Sequence, residues 1–224
     1  MAGLIYIQLI TGLWLFLKLI SLNPADPGEF TIARLQYSGG GDWYSDPSSL
    51  PNLLSYIREN TSIKTAEREV RVKIKDEELF RYPVLYMTGH GNINFSKSDA
   101  VRLREYLTSG GFLFADDNYG MDKSFRREMK KVFPDKELLE LPFSHGIFSI
   151  HFAMKNGLPK IHEHDGNPAQ AFGIFHNGRL VLFYSYESDL GDGWEDESVH
   201  GDSAERRRAA LKMGTNVIVW ALTH

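Results

Sequence analysis

The chain has 224 residues, a length typical of one ordinary domain with a short appendage. It has 25 basic and 29 acidic side chains and a net charge of −4. A hydrophobic fraction of 42% with 24% charged residues is typical of a globular protein, and the mild acidity argues against a nucleic-acid partner. Because the sequence contains no cysteine, disulfides, thiolate metal sites and cysteine nucleophiles are excluded.

The first predicted element is an apolar segment, Leu4 to Leu22, followed by the breaker-rich joint Asn23 to Gly28. Its length and hydropathy are typical of a signal peptide or a short membrane anchor. No basic side chain precedes it, no A-x-A cleavage motif follows and Lys18 interrupts it, so a buried N-terminal helix is the alternative. We expect residues 1–28 to be a signal peptide or membrane anchor with a linker, in contact with the membrane, and residues 29–224 to form the domain. The protein is then exported, either periplasmic or anchored facing the periplasm.

Strand and helix patterns alternate along the rest of the chain. Alternating or apolar runs predict strands over Phe30–Tyr37, Glu69–Ile74, Pro83–Thr88 and Phe112–Ala115. Apolar residues at helical spacing predict helices over Pro51–Asn60, Ser96–Ser109, Lys123–Val132 and Ser203–Leu222. Asn177-Gly178 predicts a hairpin that joins strands over Ala171–Phe175 and Leu180–Tyr184. This order predicts an α/β fold with helices on both faces of a mostly parallel sheet, followed by a hairpin and a closing helix.

The helix over Ser96–Ser109 has the clearest predicted boundaries. Ser96 stands at the N-cap and Asp99 three residues later, which together approximate a capping box. The pair Gly110-Gly111 ends the helix, since glycine adopts the left-handed conformation of that position without strain.

Polar residues follow three of the predicted strands, in the runs GGGDWY, TGHG and ADDNYG. Ligands of open parallel sheets bind beyond the carboxyl ends of the strands, so we expect these runs to meet at one rim. Aromatic rings there suit stacking on a sugar or peptide, and polar groups supply hydrogen bonds. The candidate ligand-binding residues are Gly40, Gly41, Asp42, Trp43, Gly89, His90, Asn118 and Tyr119.

Four residues are candidates for a catalytic role: His90, Asp116, Asp117 and His145. Either aspartate of the doublet is suited to act as a general base or metal ligand, with a histidine assisting. The structural alternative is that one aspartate caps the following helix. Adjacent side chains on a strand also point to opposite faces, so Asp116 and Asp117 need not share a site.

Two further segments have residues that bind metals in other proteins. His162-Glu163-His164 lacks the spacing of an H-E-x-x-H motif, although the two histidines share a face if the segment is extended. Glu187 to Glu205 contains eight acidic residues and no Lys or Arg, but it does not match an EF-hand loop. We interpret it as an acidic loop exposed to solvent, with Arg206 to Arg208 as local counter-charge. We therefore assign no metal site and no cofactor.

Several motifs occur here together: FxxARLQYxGGGDWY, LYMTGHG, LxxYLxxGGFLFADD, HGIF at His145, YSYESDLGDGWE and KMGTNVIVWAL. In this combination the chain resembles the exported bacterial family called domain of unknown function 4159, within the class I glutamine amidotransferase-like superfamily. The resemblance covers Phe30 to Leu222 and implies a flavodoxin-like sheet in an amidotransferase-like domain. In true amidotransferases a cysteine on a sharp strand-to-helix turn is the nucleophile. The turn here is Ala115 to Asn118 and carries aspartates, so thiol-based hydrolysis of glutamine is excluded.

The expected function is that of an extracytoplasmic amidotransferase-like domain without the cysteine nucleophile, which binds a small polar ligand (a sugar or peptide) or a protein partner. One alternative is a hydrolase that uses Asp116 or Asp117 with His90, with or without a metal. Another is a scaffold subunit of a membrane-associated complex, with a membrane protein as its partner. Whether the protein is an enzyme stays open at this point.

Overall fold

The computed structural model describes residues 28–224. The predicted signal peptide or anchor therefore lies outside the described residues, apart from its last position. Across residues 28–224 we find no helix with the length and apolar composition needed to cross a membrane.

A single seven-stranded sheet forms the centre of the domain. Its strands are β1 (Ala33–Leu35), β2 (Val70–Val72), β3 (Val84–Met87), β4 (Phe112–Asp116), β5 (Leu139–Glu140), β6 (Gln170–His176) and β7 (Arg179–Tyr186). They are ordered β2-β1-β3-β4-β7-β6-β5. The first five strands of that order are parallel, β6 is antiparallel to β7, and β5 is antiparallel to β6. The predicted α/β class, with a mostly parallel, flavodoxin-like sheet, is confirmed.

Helices cover both faces of the sheet. They are α1 (Ser49–Asn60), α2 (Lys97–Thr108), α3 (Asp122–Val132), α4 (Leu190–Trp194), α5 (Glu197–His200) and α6 (Ala204–Thr223). One core holds the buried side chains of α2 and α3, and the other holds those of α1, α4 and α6. Strand β4 contributes alternate residues to the two cores: Leu113 and Ala115 to the first, Phe112 and Phe114 to the second. This alternation decides where the polar residues at the end of β4 point.

Local signals in the sequence account for most element boundaries. The capping box of α2 is present: Asp99 N donates to Ser96 Oγ at 3.1 Å and Ser96 N donates to Asp99 Oδ2 at 3.0 Å. Asn177 and Gly178 form the hairpin turn with φ of 50° and 81°, as a two-residue turn between twisted strands requires. Strand β1 is shorter than predicted, and Phe30 forms only an isolated bridge with Thr65.

The prediction of a solvent-exposed acidic loop over Glu187–Glu205 is wrong. The segment contains α4 and α5, and it buries Glu187, Asp189 and Glu195. The segment is buried because two of its apolar side chains, Leu190 and Trp194, lie fully buried in the core beside α1 and α6. Burial of two large side chains draws the neighbouring carboxylates under the surface with them.

Candidate functional site

The loops that follow β1, β3 and β4 meet at the carboxyl end of the parallel strands, as the sequence predicts. Asp42 N, after β1, donates to the carbonyl of His90, after β3, at 3.3 Å. Asn118, after β4, donates from Nδ2 to Asp46 Oδ2 at 3.1 Å. We call this edge of the sheet the carboxyl-end rim.

Asp42 and His90 form a side-chain pair on this rim. The backbone N–H of His90 donates to Asp42 Oδ1, and His90 Nδ1 lies 3.0 Å from Asp42 Oδ2. Their side chains are 34% and 52% exposed. A carboxylate that holds one ring nitrogen fixes the orientation of the imidazole, and the exposed ring can exchange protons with a bound molecule.

Two of the candidate glycines are explained by close packing of these loops. A Cβ on Gly89, which has φ of 132°, would lie 2.5 Å from the Tyr37 hydroxyl and 2.9 Å from Asp42 Oδ1. A Cβ on Gly41 would lie 2.7 Å from the carbonyl oxygen of His90. Both glycines are therefore needed for the Asp42–His90 contact. Gly40 has open space around it.

A cavity of about 620 Å³ adjoins the rim at the carboxyl end of β1. It lies between the end of β1, the turn after β2 and the start of α2; its lining includes Gln36, Tyr37, Trp43, Lys73, Asn94 and Ser96. The ring of Trp43 contacts Tyr44 edge-on with centroids 5.4 Å apart, and Tyr44 is exposed. A larger groove of about 860 Å³ lies elsewhere, between residues 153–160 and α6.

Tyr119 occupies the strained position in the turn from β4 to α3. Its φ is 80°, which is uncommon for a bulky residue. Its exposed ring stacks on His164 with centroids 4.5 Å apart, and its hydroxyl donates to Asp165 Oδ1 at 3.1 Å. Tyr119 thus joins the rim to the loop that contains the two histidines noted in the sequence.

Asp116 is fully buried on the face that is covered by α1, α4 and α6. Its carboxylate accepts hydrogen bonds from Gly191 N at 2.6 Å, from Leu190 N at 3.3 Å, and from the hydroxyls of Ser185 and Tyr86. Burial raises the pKa of Asp116 to about 6, although the Ser185 and Gly191 hydrogen bonds oppose this shift. Asp116 therefore holds the start of α4 in place and is not accessible to a ligand.

Asp117 lies on the opposite face. Its Oδ1 accepts a hydrogen bond from Met121 N at 2.9 Å, and its Oδ2 accepts one from the Tyr184 hydroxyl at 3.3 Å. Burial raises its pKa to about 6. Asp117 is thus the aspartate that stabilises the entry to α3, and the two aspartates of the doublet do not share a site.

Two buried aspartates at this edge were not among the sequence candidates. Asp46 and Asp189 have φ of 54° and 56°. The pKa of Asp46 is raised to about 8, first by burial and then by the charges of Asp192 and Asp116. The pKa of Asp189 is raised to about 9, again first by burial and then by Asp116 and Asp192. Strained backbone and strongly shifted pKa values each cluster at functional sites.

His162 and His164 both contact this group of carboxylates. His162 Nδ1 lies 2.9 Å from Asp192 Oδ2, and His164 Nε2 contacts Asp189 Oδ2. The sequence indicated that the two histidines share a face, but it gave no sign of their partners. Those partners lie 25 to 30 residues away, in the segment interpreted as a solvated loop.

The family described as Domain of unknown function (DUF4159) matches residues 31–222. The chain belongs to this family. The carboxyl-end rim and the buried carboxylates are therefore parts of the DUF4159 domain itself. A comparison with curated proteins found no match.

His145 of the DUF4159 domain is not brought to the rim. Its ring packs against Trp220 of α6 with centroids 4.8 Å apart, and its Nδ1 accepts a hydrogen bond from Ile147 N at 3.2 Å. It also contacts Phe175, which pairs with Leu180 at the start of β7. His145 thus lies at the amino end of the parallel strands, and burial lowers its pKa.

The candidates of the DUF4159 domain fall into two groups by access to solvent. Asp42, Trp43, His90 and Tyr119 are exposed or half-buried and can touch a bound molecule. Asp116 and Asp117 are buried and accept hydrogen bonds from the protein. The residues of the first group can therefore bind a ligand, whereas those of the second group hold the loops in place.

Proposed function

We propose that this DUF4159 domain binds a small polar ligand, a sugar or a short peptide, at the carboxyl ends of β1 and β3. The proposal depends on the cavity of about 620 Å³ that has Trp43 on its wall and adjoins the loops of Asp42 and His90. Its volume is in the range of small-molecule sites. Trp43 contributes an aromatic ring to the cavity wall, with the Arg71 guanidinium over that ring at 5.8 Å from its centroid, and the remaining lining is mostly polar.

The position of the cavity agrees with the physics of parallel sheets. Ligands bind outside the carboxyl ends of the strands, where loops diverge and backbone groups are free to make contacts. Asp42 and His90 do not line the cavity themselves, but Asp42 precedes Trp43 of the lining and holds His90 in the β3 loop, so the pair offers an acceptor and a ring nitrogen to a ligand that extends along the rim. The hydroxyls of a sugar or the amides of a peptide need hydrogen-bonding groups, and their apolar faces pack on an aromatic ring.

We further infer that the chain is an amidotransferase-like domain that functions without the cysteine nucleophile. A sharp turn joins β4 to α3, where that superfamily places its nucleophile, and Tyr119 has positive φ there. The apolar segment from Leu4 to Leu22 supports export, so the ligand would be met outside the cytoplasm.

A ligand screen by thermal unfolding tests the proposal. The full-length chain is heated with neutral oligosaccharides and with short peptides. A ligand at 100 times its Kd stabilises by about 2.7 kcal/mol, which raises the Tm by roughly 5–10 °C for a domain of this size. Hits are then titrated calorimetrically.

Two variants locate the binding. Trp43→Ala is expected to weaken a hit at least tenfold, because it removes the stacking face. Phe80→Ala is the matched control, since Phe80 is an exposed aromatic residue on the 3-10 turn before β3, away from the lining of this cavity. The proposal fails if no sugar or peptide shifts the Tm, or if both variants bind a hit as the wild type does.

The geometry of Asp42 and His90 favours one second candidate, a hydrolase. A histidine whose Nδ1 is held by a carboxylate is positioned to act as a general base through its other ring nitrogen. His90 would then activate water for attack on a glycosidic or amide bond. Its test is turnover of chromogenic glycosides and peptide anilides: His90→Ala abolishes turnover in a hydrolase, whereas a pure binding domain shows none to begin with.

A further inference from the structure

Two segments that are separated in the sequence bring histidine and aspartate side chains into contact close to the carboxyl-end rim. Residues 162–164 contribute His162 and His164, and the segment after β7 contributes its acids and His200. We call this group the His–Asp cluster; its members are His162, His164, Asp189, Asp192, His200 and Asp202.

The donor atoms of three members lie close enough to share one ion. One atom from each of His162, Asp192 and His200 lies within 4.8 Å of the others. Nitrogen and oxygen ligands at 2.0–2.2 Å from one zinc ion lie within about 4.4 Å of each other, so small side-chain movements suffice. Asp189 borders the same space, with its Oδ2 3.5 Å from His162 Nδ1.

Buried oxygen atoms in the cluster lack a donor. The side chain of Asp189 is 1% exposed, and its Oδ1 has no hydrogen-bond partner among residues 28–224. Oδ1 of Asp192 is also buried without one in the same range. A buried carboxylate oxygen with no donor is costly, so each unpartnered atom needs an explanation.

Further carboxyl groups surround these atoms. Those of Asp46, Asp116 and Asp192 all lie near Asp189. In the described part of the chain, neither Asp189 nor Asp192 forms an ion pair with a Lys or Arg side chain, and the ring nitrogens of histidines face them instead. A bound cation would offset this concentration of charge.

The outer contacts of His162 match those of a histidine that ligates a metal. Its second ring nitrogen, Nε2, lies 3.0 Å from Asp202 Oδ2, and Arg206 Nη1 lies 3.8 Å from Asp202 Oδ1. Metal-bound histidines usually donate their other ring N–H to a carboxylate, which fixes the ring and raises its basicity.

We propose that His162, Asp192 and His200 bind a divalent transition-metal ion, with Asp189 as a fourth ligand or as the acceptor of a metal-bound water. Mixed imidazole and carboxylate donors favour zinc, iron, manganese or nickel over calcium and magnesium, which prefer oxygen alone. The side chains of His162 and His200 are 24% and 31% exposed, so an ion can enter from solvent. This site is independent of the ligand proposed beside Trp43.

Metal titration of the full-length chain tests this inference. After dialysis against a chelator and then against chelator-free buffer, the protein is titrated calorimetrically with Zn²⁺ and, separately, with Ca²⁺. Co²⁺ is added as a spectroscopic probe, since its visible absorption reports nitrogen and oxygen ligation. We expect one equivalent of Zn²⁺ and visible Co²⁺ bands that Zn²⁺ displaces.

The key variant is His200→Ala, because His200 is partly exposed on a short helix and its substitution leaves the core intact. We expect it to weaken Zn²⁺ binding at least tenfold, and His162→Ala to weaken it further. His176→Ala on β6 is the matched control and should bind as the wild type does.

Three results would contradict the proposed metal site. They are less than half an equivalent of Zn²⁺ on folded wild type, equal affinity of His200→Ala and His176→Ala, and Ca²⁺ binding tighter than Zn²⁺ that neither histidine variant changes.

Discussion

Asp42 and His90 are 48 residues apart in the sequence, and both the backbone N–H and the ring Nδ1 of His90 contact the Asp42 carboxylate. The double contact requires the β1 and β3 loops to approach so closely that a side chain at Gly89 would clash with Tyr37 and Asp42. A parallel sheet supplies that approach, because it brings successive carboxyl ends to the same edge. The Asp42–His90 pair therefore depends on the parallel topology and on the two glycines Gly41 and Gly89.

The first prediction concerns this pair. Asp42→Ala removes the acceptor that orients His90, so we expect affinity for a ligand from the screen to fall roughly tenfold, which corresponds to about 1.4 kcal/mol. The free energy of unfolding should change by less than about 1 kcal/mol, since exposed ion pairs contribute little. Calorimetric titration and urea unfolding measure the two quantities. An unchanged affinity would place the ligand away from His90.

The second prediction separates the two aspartates at the end of β4. Asp116→Ala leaves the buried donors Leu190 N and Gly191 N without a partner, so it should lower the free energy of unfolding by about 2–4 kcal/mol. Asp135→Ala, at an exposed turn, is the control. Urea unfolding checks this, and a loss below about 0.5 kcal/mol for Asp116→Ala would contradict a structural role.

The third prediction concerns pH. Asp46 has a pKa of about 8 in the folded protein against about 3.9 in the unfolded chain, so folding favours its protonated form. The stability that this proton contributes is complete below pH 4 and is lost as the pH rises through about 8. Asn at position 46 is always neutral, tolerates the positive φ and can still accept a hydrogen bond from Asn118.

We therefore expect Asp46→Asn to match wild type near pH 5 and to be the more stable protein at pH 9. Urea unfolding at pH 5, 7 and 9, in chelator to exclude bound ions, measures the difference. Asp135→Asn serves as the control for removal of one exposed charge. Parallel loss of stability in wild type and Asp46→Asn would show that Asp46 is ionised in the folded state.

The fourth prediction uses the contact between α4 and the carboxylates. A Cβ on Gly191 would lie 2.7 Å from the Tyr86 hydroxyl, 3.0 Å from Asp46 Oδ2 and 3.2 Å from Asp116 Oδ2. Gly191→Ala should therefore cost about 1–3 kcal/mol of folding free energy, because the surrounding groups are closely packed. Thermal unfolding measures it, and wild-type stability in this variant would mean that the carboxylates shift at no cost.

Local rules predicted much of the architecture. The capping residues of α2, the turn at Asn177-Gly178 and the apolar run of β4 each specify their own conformation, so their neighbours in sequence are sufficient. The approach of the Asp42 and His90 loops was also predictable, because parallel strands bring their carboxyl ends to one edge of the sheet. Their contact further needs Gly41 and Gly89. The opposite orientations of Asp116 and Asp117 follow from the two-residue repeat of a strand.

The burial of Asp189 could not be predicted in the same way. Its segment has no helical or strand periodicity, and its composition is that of a solvated loop. Burial depends on where Leu190 and Trp194 find space between α1 and α6, which is a tertiary property. The one local signal was the presence of two large apolar residues among the acids. The place of the catalytic candidate His145, away from the rim, could not be predicted for a related reason: it depends on packing against Trp220.

The most direct measurement is the mapping of a bound sugar or peptide onto the isotope-labelled full-length chain by NMR. We predict that the indole N–H of Trp43 and the imidazole of His90 show the largest shifts on titration. Shifts confined to the groove between residues 153–160 and α6, with Trp43 and His90 unchanged, would contradict a ligand site at the carboxyl-end rim.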